Sequence, residues 1–170
     1  MPYGRQFLSK KEVPGIIATA KDYIGVPYVF GGDTPAGFDC SGYLEYVFAK
    51  HGIRIPRTAD EQYKLGKLVE PDDLEAGDLV FFTTYEPGAS HCGIYLGNGN
   101  FIHASTSRGI RVDNLDNTYW ASRYYGGKHI VKINNIFLIF SSPKKIDKVI
   151  YTLSILYLLF LFKVSYASFK

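Results

Sequence analysis

The stretch His91-Cys92-Gly93-Ile94-Tyr95-Leu96-Gly97-Asn98-Gly99-Asn100-Phe101-Ile102-His103-Ala104 decides the fold. Its two apolar runs, 92–96 and 100–104, read as strands, and the Gly97-Asn98-Gly99 between them has the composition of a tight hairpin turn. Pairing about that turn sets positions summing to about 196 opposite one another, give or take a bulge. His91 then faces the neighbourhood of Ser105, with His103 about two positions along. Both are odd-numbered, so a symmetric register puts the two histidines on one face of the sheet.

Working outward, Asp78-Leu79-Val80-Phe81-Phe82 and Gly109-Ile110-Arg111-Val112 continue the strand pattern on either side. Tyr119 to Tyr125 is an aromatic segment, and Lys128 to Ile133 is expected as a last strand. Pro71 to Gly77 is a turn-rich, acidic connector, and before it the period is helical. A first helix is expected from Val13 to Ile24, with Pro14 in its first turn and Ile16, Ile17, Ala20, Tyr23 and Ile24 as its apolar stripe. A second begins near Cys40, carries Leu44, Val47 and Phe48 at helical spacing, and stops at His51-Gly52. A third, short one starts at Thr58, where Glu61 completes a capping-box pattern. Helices followed by strands predict an α+β fold, an antiparallel sheet packed against the leading helices.

Phe38-Asp39-Cys40-Ser41-Gly42 follows the turn-rich run 31–37, so Cys40 falls at or just inside a helix N-terminus. Unpaired backbone N–H groups and the positive end of the dipole favour a thiolate there. A lone cysteine in an apolar helix is most often core, and it is the downstream histidines that change the reading. A cysteine nucleophile needs a base in hydrogen-bond reach, and the base needs a third group to hold its tautomer. His51 ends the Cys40 helix, more than two turns away, and His129 begins the expected last strand without a supporting motif. His91 and His103 remain: His91 as the base and His103 as the residue that orients it, on a sheet facing the helix-borne thiolate. A zinc site from Cys40, His91, Cys92 and His103 is the competing reading. Neighbouring strand residues His91 and Cys92 point to opposite faces, which works against a shared metal. No metal and no cofactor is expected.

With 46% apolar and 21% charged residues among 170, one globular domain with a real core is the default. Residues 1–130 carry 13 Lys and Arg against 15 Asp and Glu, a slightly acidic body that argues against phosphate-driven nucleic-acid binding. Residues 131–170 carry six Lys against the single acid Asp147. Met1 to Lys11 has no apolar core segment of a secretory signal; the chain is expected either to stay inside the cell or to start downstream of the exported precursor's start. The tail after Ile133 has no glycine, and its charge-free run 149–162 spans roughly 21 Å as a helix, short against a bilayer core of about 30 Å. Three readings stand for it: an atypical tail anchor making membrane contact through 149–169, an extra docked helix, or a stretch outside selection for folding.

Residues from about 13 to 131 resemble an NlpC/P60 cysteine peptidase domain, a papain-like family that trims cell-wall peptides. The carrying motifs are Tyr28-Val29-Phe30-Gly31-Gly32, Phe38-Asp39-Cys40-Ser41-Gly42, Arg57-Thr58-Ala59-Asp60-Glu61-Gln62, Glu75-Ala76-Gly77-Asp78-Leu79-Val80-Phe81-Phe82, His91-Cys92-Gly93-Ile94-Tyr95-Leu96-Gly97 and Phe101-Ile102-His103-Ala104. By that resemblance the fold is the papain-like NlpC/P60 fold, Cys40 is the nucleophile, His91 the base and His103 the residue orienting it. Tyr28 is implied beside the thiolate, and Asp39, Ser41 and Arg57 around the pocket for the charged ends of a stem peptide. Asp39 reads equally well as a helix cap alone, and Arg57 as one half of a structural ion pair. Cys92 departs from the small apolar residue usual there, and the tail after about Lys132 has no counterpart.

The resemblance implies a bacterial cysteine endopeptidase of the cell envelope, or a secreted one, that cleaves peptidoglycan stem peptides between γ-linked D-glutamate and the following diamino acid. The alternatives are a catalytically silent wall-binding module and a papain-like acyltransferase or amidase. The expected organisation is an N-terminal extension at 1–12, a catalytic domain at 13–132 and a hydrophobic, basic tail at 133–170.

Overall fold

A computed structural model describes residues 8–132. The expectations for the tail, including the apolar run 149–169, lie outside the described residues. Among the described residues no helix is long and apolar enough to cross a membrane.

Helix α1 spans Val13–Lys21, with Pro14 in its first turn and Ile16 and Ala20 fully buried. It stops short of the expected Ile24 because the chain there is claimed by another element. Gly25 takes φ +91 and donates its N–H to Ile110 O at 2.9 Å, leaving Ile24 54% exposed. Helix α2 spans Cys40–Lys50 and buries Tyr43, Leu44, Val47 and Phe48. Its N-cap is Asp39, whose Oδ1 accepts from Gly42 N at 2.7 Å, satisfying one orphan donor of the first turn. A side chain at Gly42 would bring Cβ to 2.3 Å from Gly32 O, so the helix start and the Gly31-Gly32 turn pack in direct backbone contact. At the other end His51 is the C-cap and Gly52 turns the chain at φ +70. Helix α3 is only Ala59–Gln62. Its expected capping box does not form: Thr58 donates its hydroxyl to Asp60 Oδ1 at 2.6 Å and caps no helical N–H.

Two short pairs frame the domain. Strand β1 (Leu8–Ser9) runs parallel to β10 (Val131–Lys132), so the packed unit begins by Leu8, ahead of the expected 13; Leu8 is fully buried. Strands β2 (Asp33–Thr34) and β3 (Gly37–Phe38) form a hairpin leading into α2. The main sheet has the order β4-β9-β5-β6-β7-β8, every adjacent pair antiparallel. Its strands are β4 (Lys67–Val69), β5 (Leu79–Phe82), β6 (His91–Gly97), β7 (Asn100–Ser105), β8 (Gly109–Asn114) and β9 (Tyr124–His129). The β6–β7 register pairs Ile94 with Ile102 and Tyr95 with Phe101, the expected sum, then slips by a bulge to pair Gly97 with Asn100.

The expected last strand at 128–133 is displaced. The sheet takes Tyr124–His129 instead, because Gly126 and Gly127 let the strand pass close under neighbouring side chains. A Cβ at Gly127 would sit 2.7 Å from Leu74 Cδ2. The alternation sorts the sheet into two faces. Leu79, Phe81, Cys92, Ile94, Ile102, Ala104 and Ile110 join α1 and α2 in the larger core. Val80, Phe82, Tyr95 and Phe101 form a second cluster with Trp120, from helix α4 (Thr118–Ala121).

Candidate active site

Cys40 is the first residue of α2 and only 5% exposed. Its thiol is held well below the ordinary cysteine range, first by the neighbouring Cys92 thiol and then by His91, together outweighing burial. Cys92 moves the other way: burial, and then the neighbouring Cys40, push it well above the usual range. Cys40 is thus the thiolate of the pair and Cys92 the buried thiol beside it. The Cys92 thiol donates to Gln62 Oε1 at 3.5 Å, and the Gln62 amide donates to Ser41 O at 3.0 Å and Pro56 O at 2.7 Å. One buried glutamine therefore ties the cysteine pair to the first turn of α2.

His91 opens β6 and His103 sits within β7, both buried, with His91 Nε2 2.9 Å from His103 Nδ1. The chain continues: His103 Nε2 lies 3.0 Å from Asp113 Oδ2 on β8. Trp120 Nε1 donates to the same oxygen at 3.1 Å, and Arg111 pairs with Asp113 Oδ1 at 2.5 Å. The Trp120 ring stacks on His91, centroids 5.2 Å apart and planes 22° from parallel.

Burial pushes His103 down to about 4, further than the Asp113 hydrogen bond can raise it, so its ring is neutral at pH 7. Burial pushes Asp113 up, but the His103 and Trp120 hydrogen bonds and Arg111 hold it below the usual carboxylate value, so it is ionised. An ionised Asp113 can only accept, which puts the single His103 proton on Nε2. Nδ1 of His103 then accepts from Nε2–H of His91, leaving Nδ1 of His91 to exchange a proton with Cys40. The tautomers follow from the hydrogen-bond network.

The histidines share a face, as their parity requires, but it is the opposite face from the one expected. They stand among Phe82, Phe101 and Trp120, away from α2, whereas Cys92 points into the core with Cys40. The reason is that α2 packs on the even-numbered residues of β6 and β7. Its first residue still meets His91, because His91 is the first residue of its strand.

Asp39 is both the cap of α2 and one half of an ion pair with Arg57. Asp39 caps α2 and accepts from Arg57 Nη1 at 2.9 Å and Nη2 at 2.6 Å, with Gly31 N–H at 3.1 Å. Arg57 also donates to Ser41 Oγ at 3.1 Å. These three residues line a groove of 370 Å³ with Phe30, Asp60 and Glu86. Tyr28 and His91 instead line a cavity of 530 Å³ with Arg108, Arg111, Asn117 and Trp120. Tyr85, 66% exposed, borders both. Burial and then the Cys40 charge push the Tyr28 phenol up to about 12, so it remains a hydroxyl donor beside the thiolate.

A sequence model of the NlpC/P60 family matches residues 25–129. The chain belongs to the NlpC/P60 family. Over 118 residues it is 48% identical to the "Gamma-DL-glutamyl hydrolase" of Bacillus subtilis (strain 168), a match covering 68% of this chain and 28% of that protein. It is 44% identical over 118 residues to the "Probable peptidoglycan endopeptidase LytE" of the same organism, covering 68% and 34%. The NlpC/P60 match thus spans about a third or less of those relatives. Among solved structures, an NlpC/P60 family protein from Bacillus cereus ATCC 10987 superposes with a TM-score of 0.66 at 32% identity, covering 71% of this chain and 40% of that one.

Sequence reasoning missed Asp113 and Trp120. Asp113 had a signal: carrying the 109–112 strand two residues further puts Arg111 and Asp113 on the parity of His103. Trp120 had none beyond being aromatic, since only the fold brings α4 over the histidines.

Proposed function

We propose that this NlpC/P60 domain is a cysteine endopeptidase that hydrolyses peptidoglycan stem peptides, cleaving the amide between γ-linked D-glutamate and the following diamino acid. The observation that carries the reading is the hydrogen-bonded line Asp113–His103–His91 ending at a thiolate on a helix N-terminus. The glutamyl hydrolase and peptidoglycan endopeptidase named among the relatives support the choice of substrate.

In this reading Cys40 gives its thiol proton to Nδ1 of His91, and the Cys40 thiolate attacks the glutamyl carbonyl. The tetrahedral oxyanion is stabilised by the Cys40 backbone N–H at the start of α2, with the Tyr28 hydroxyl beside it. His91 protonates the leaving amine, and the acyl group remains as a thioester on Cys40. Water, deprotonated by His91, then releases the glutamate. His103 and, behind it, Asp113 hold His91 in the tautomer that keeps Nδ1 toward sulfur. Asp39, Ser41 and Arg57 line the acyl side. The chemistry lies within residues 13–132, and the substrate puts its place of work at the cell envelope or outside the cell.

The test is digestion of purified peptidoglycan and of free stem peptides by the wild type beside Cys40→Ala, with products read by mass spectrometry. A fragment ending in glutamate, made only by the wild type, is the expected result. Binding without cleavage by the folded wild type would instead indicate a silent wall-binding module. Products carrying an added amine or alcohol in place of water would indicate acyl transfer.

A further inference from the structure

Proton transfer orients the substrate in the two-armed cleft. The leaving nitrogen must lie beside His91, which lines the cavity and not the groove. The acyl carbon stays on Cys40, next to Asp39 and Ser41, which line the groove. The diamino acid on the amine side therefore enters the cavity.

The two arms differ in charge. The groove holds Arg57 among Asp39, Asp60 and Glu86, an acidic set. In the cavity Arg111 is paired with Asp113, while Arg108 has neither hydrogen bond nor ion pair for its side chain among the described residues. Arg108 is presented by a braced turn. Its N–H donates to Ser105 O at 3.3 Å, and the strand that follows is anchored by Ile110 N to Val26 O at 2.8 Å.

We propose that Arg108 receives a second carboxylate on the amine-side residue, so that the enzyme selects stems whose diamino acid is also a dicarboxylic acid, such as diaminopimelate, over stems carrying lysine. This rests on the endopeptidase reading above. A free guanidinium at the wall of a cleft recognises a planar carboxylate through paired N–H donors. The same charge repels the lone side-chain ammonium of a lysine stem, so attraction and repulsion work in one direction. The α-carboxylate is common to both stems and cannot supply the discrimination.

The experiment compares kcat/KM of the full chain on two synthetic tripeptides, L-Ala-γ-D-Glu-diaminopimelate and L-Ala-γ-D-Glu-L-Lys. The wild type is expected to favour the first by roughly tenfold or more, the range of a charge-assisted hydrogen bond. Arg108→Gln should collapse that ratio toward one, Arg108→Lys should keep part of it, and Arg108→Glu should invert it. Equal kcat/KM on both stems by the wild type, or a ratio that survives Arg108→Gln, overturns the assignment while leaving the endopeptidase reading intact. Failure of the folded wild type to cut either stem removes both.

Discussion

Asp39, on the helix side of the cleft, and Asp113, on the sheet side, are both carboxylates paired with an arginine close to the reacting groups, yet they are held by different means. Asp39 adjoins Cys40 in the chain and takes its hydrogen bonds from local donors, the N–H groups of Gly42 and Gly31 together with Arg57. Asp113 lies far from Cys40 in sequence and reaches the site only through the β7–β8 register, where Phe101 pairs with Asp113 and His103 with Arg111. The helix-side carboxylate builds a helix end. The sheet-side carboxylate sets a tautomer, and so acts on the chemistry through His103 and His91.

That contrast is open to direct test. Asp113→Asn replaces an obligate acceptor with a group that can donate to His103, and should lower kcat on the order of 100-fold while the domain still folds. The pH profile of kcat should move as well, which a purely structural aspartate would not cause. Asp39→Asn keeps a good helix cap and should cost less than about tenfold in kcat. Equal losses in kcat from the two variants would break the comparison.

Acid should expose the sheet side next. The folded His103 sits at about 4 and the unfolded residue near 6.5, so between those values the unfolded chain binds the extra proton. Stability from this group is fully present above pH 6.5 and is lost as pH falls toward 4, by about 3 kcal/mol in all. Asp113, held below its ordinary value, adds a loss of the same sign at still lower pH. Denaturant titrations from pH 7 to 4 should show the decline, and a flat profile would contradict the burial of a neutral His103.

On the helix side, Asp39→Ala removes the cap and leaves Arg57 with Glu45, at 3.9 Å, and the Ser41 hydroxyl, at 3.1 Å. About 1–2 kcal/mol of stability should go, measured by thermal or urea unfolding. Thr58→Ala sharpens the point from the other end. The Thr58 hydroxyl caps nothing in α3, so its loss should cost less than about 0.5 kcal/mol, and a full cap's worth of destabilisation would mean the capping box forms after all.

Much of this arrangement is readable from local chemistry. The Gly-Asn-Gly turn fixes the β6–β7 register to within one bulge, and with it the shared face of His91 and His103. Asp39 before an apolar helical period marks the start of α2 at Cys40. Where reading stops, the cause is a contact made at long range. Gly126-Gly127 resembles a strand breaker until Tyr63 and Leu74 lie against it. Gly25 ends α1 early because β8 takes its N–H.

By itself the sequence determined the α+β order, the helix-terminal cysteine, the hairpin and the pairing of two histidines, because each depends on hydrogen bonds and periodicities among near neighbours in the chain. The tertiary structure alone decided which face of the sheet those histidines occupy, that Cys92 lies beside Cys40, and that Asp113 and Trp120 complete the line behind His91. Each of those depends on which side of the sheet α2 and α4 cover. A period of two fixes that residues share a side but leaves open which element will bury it.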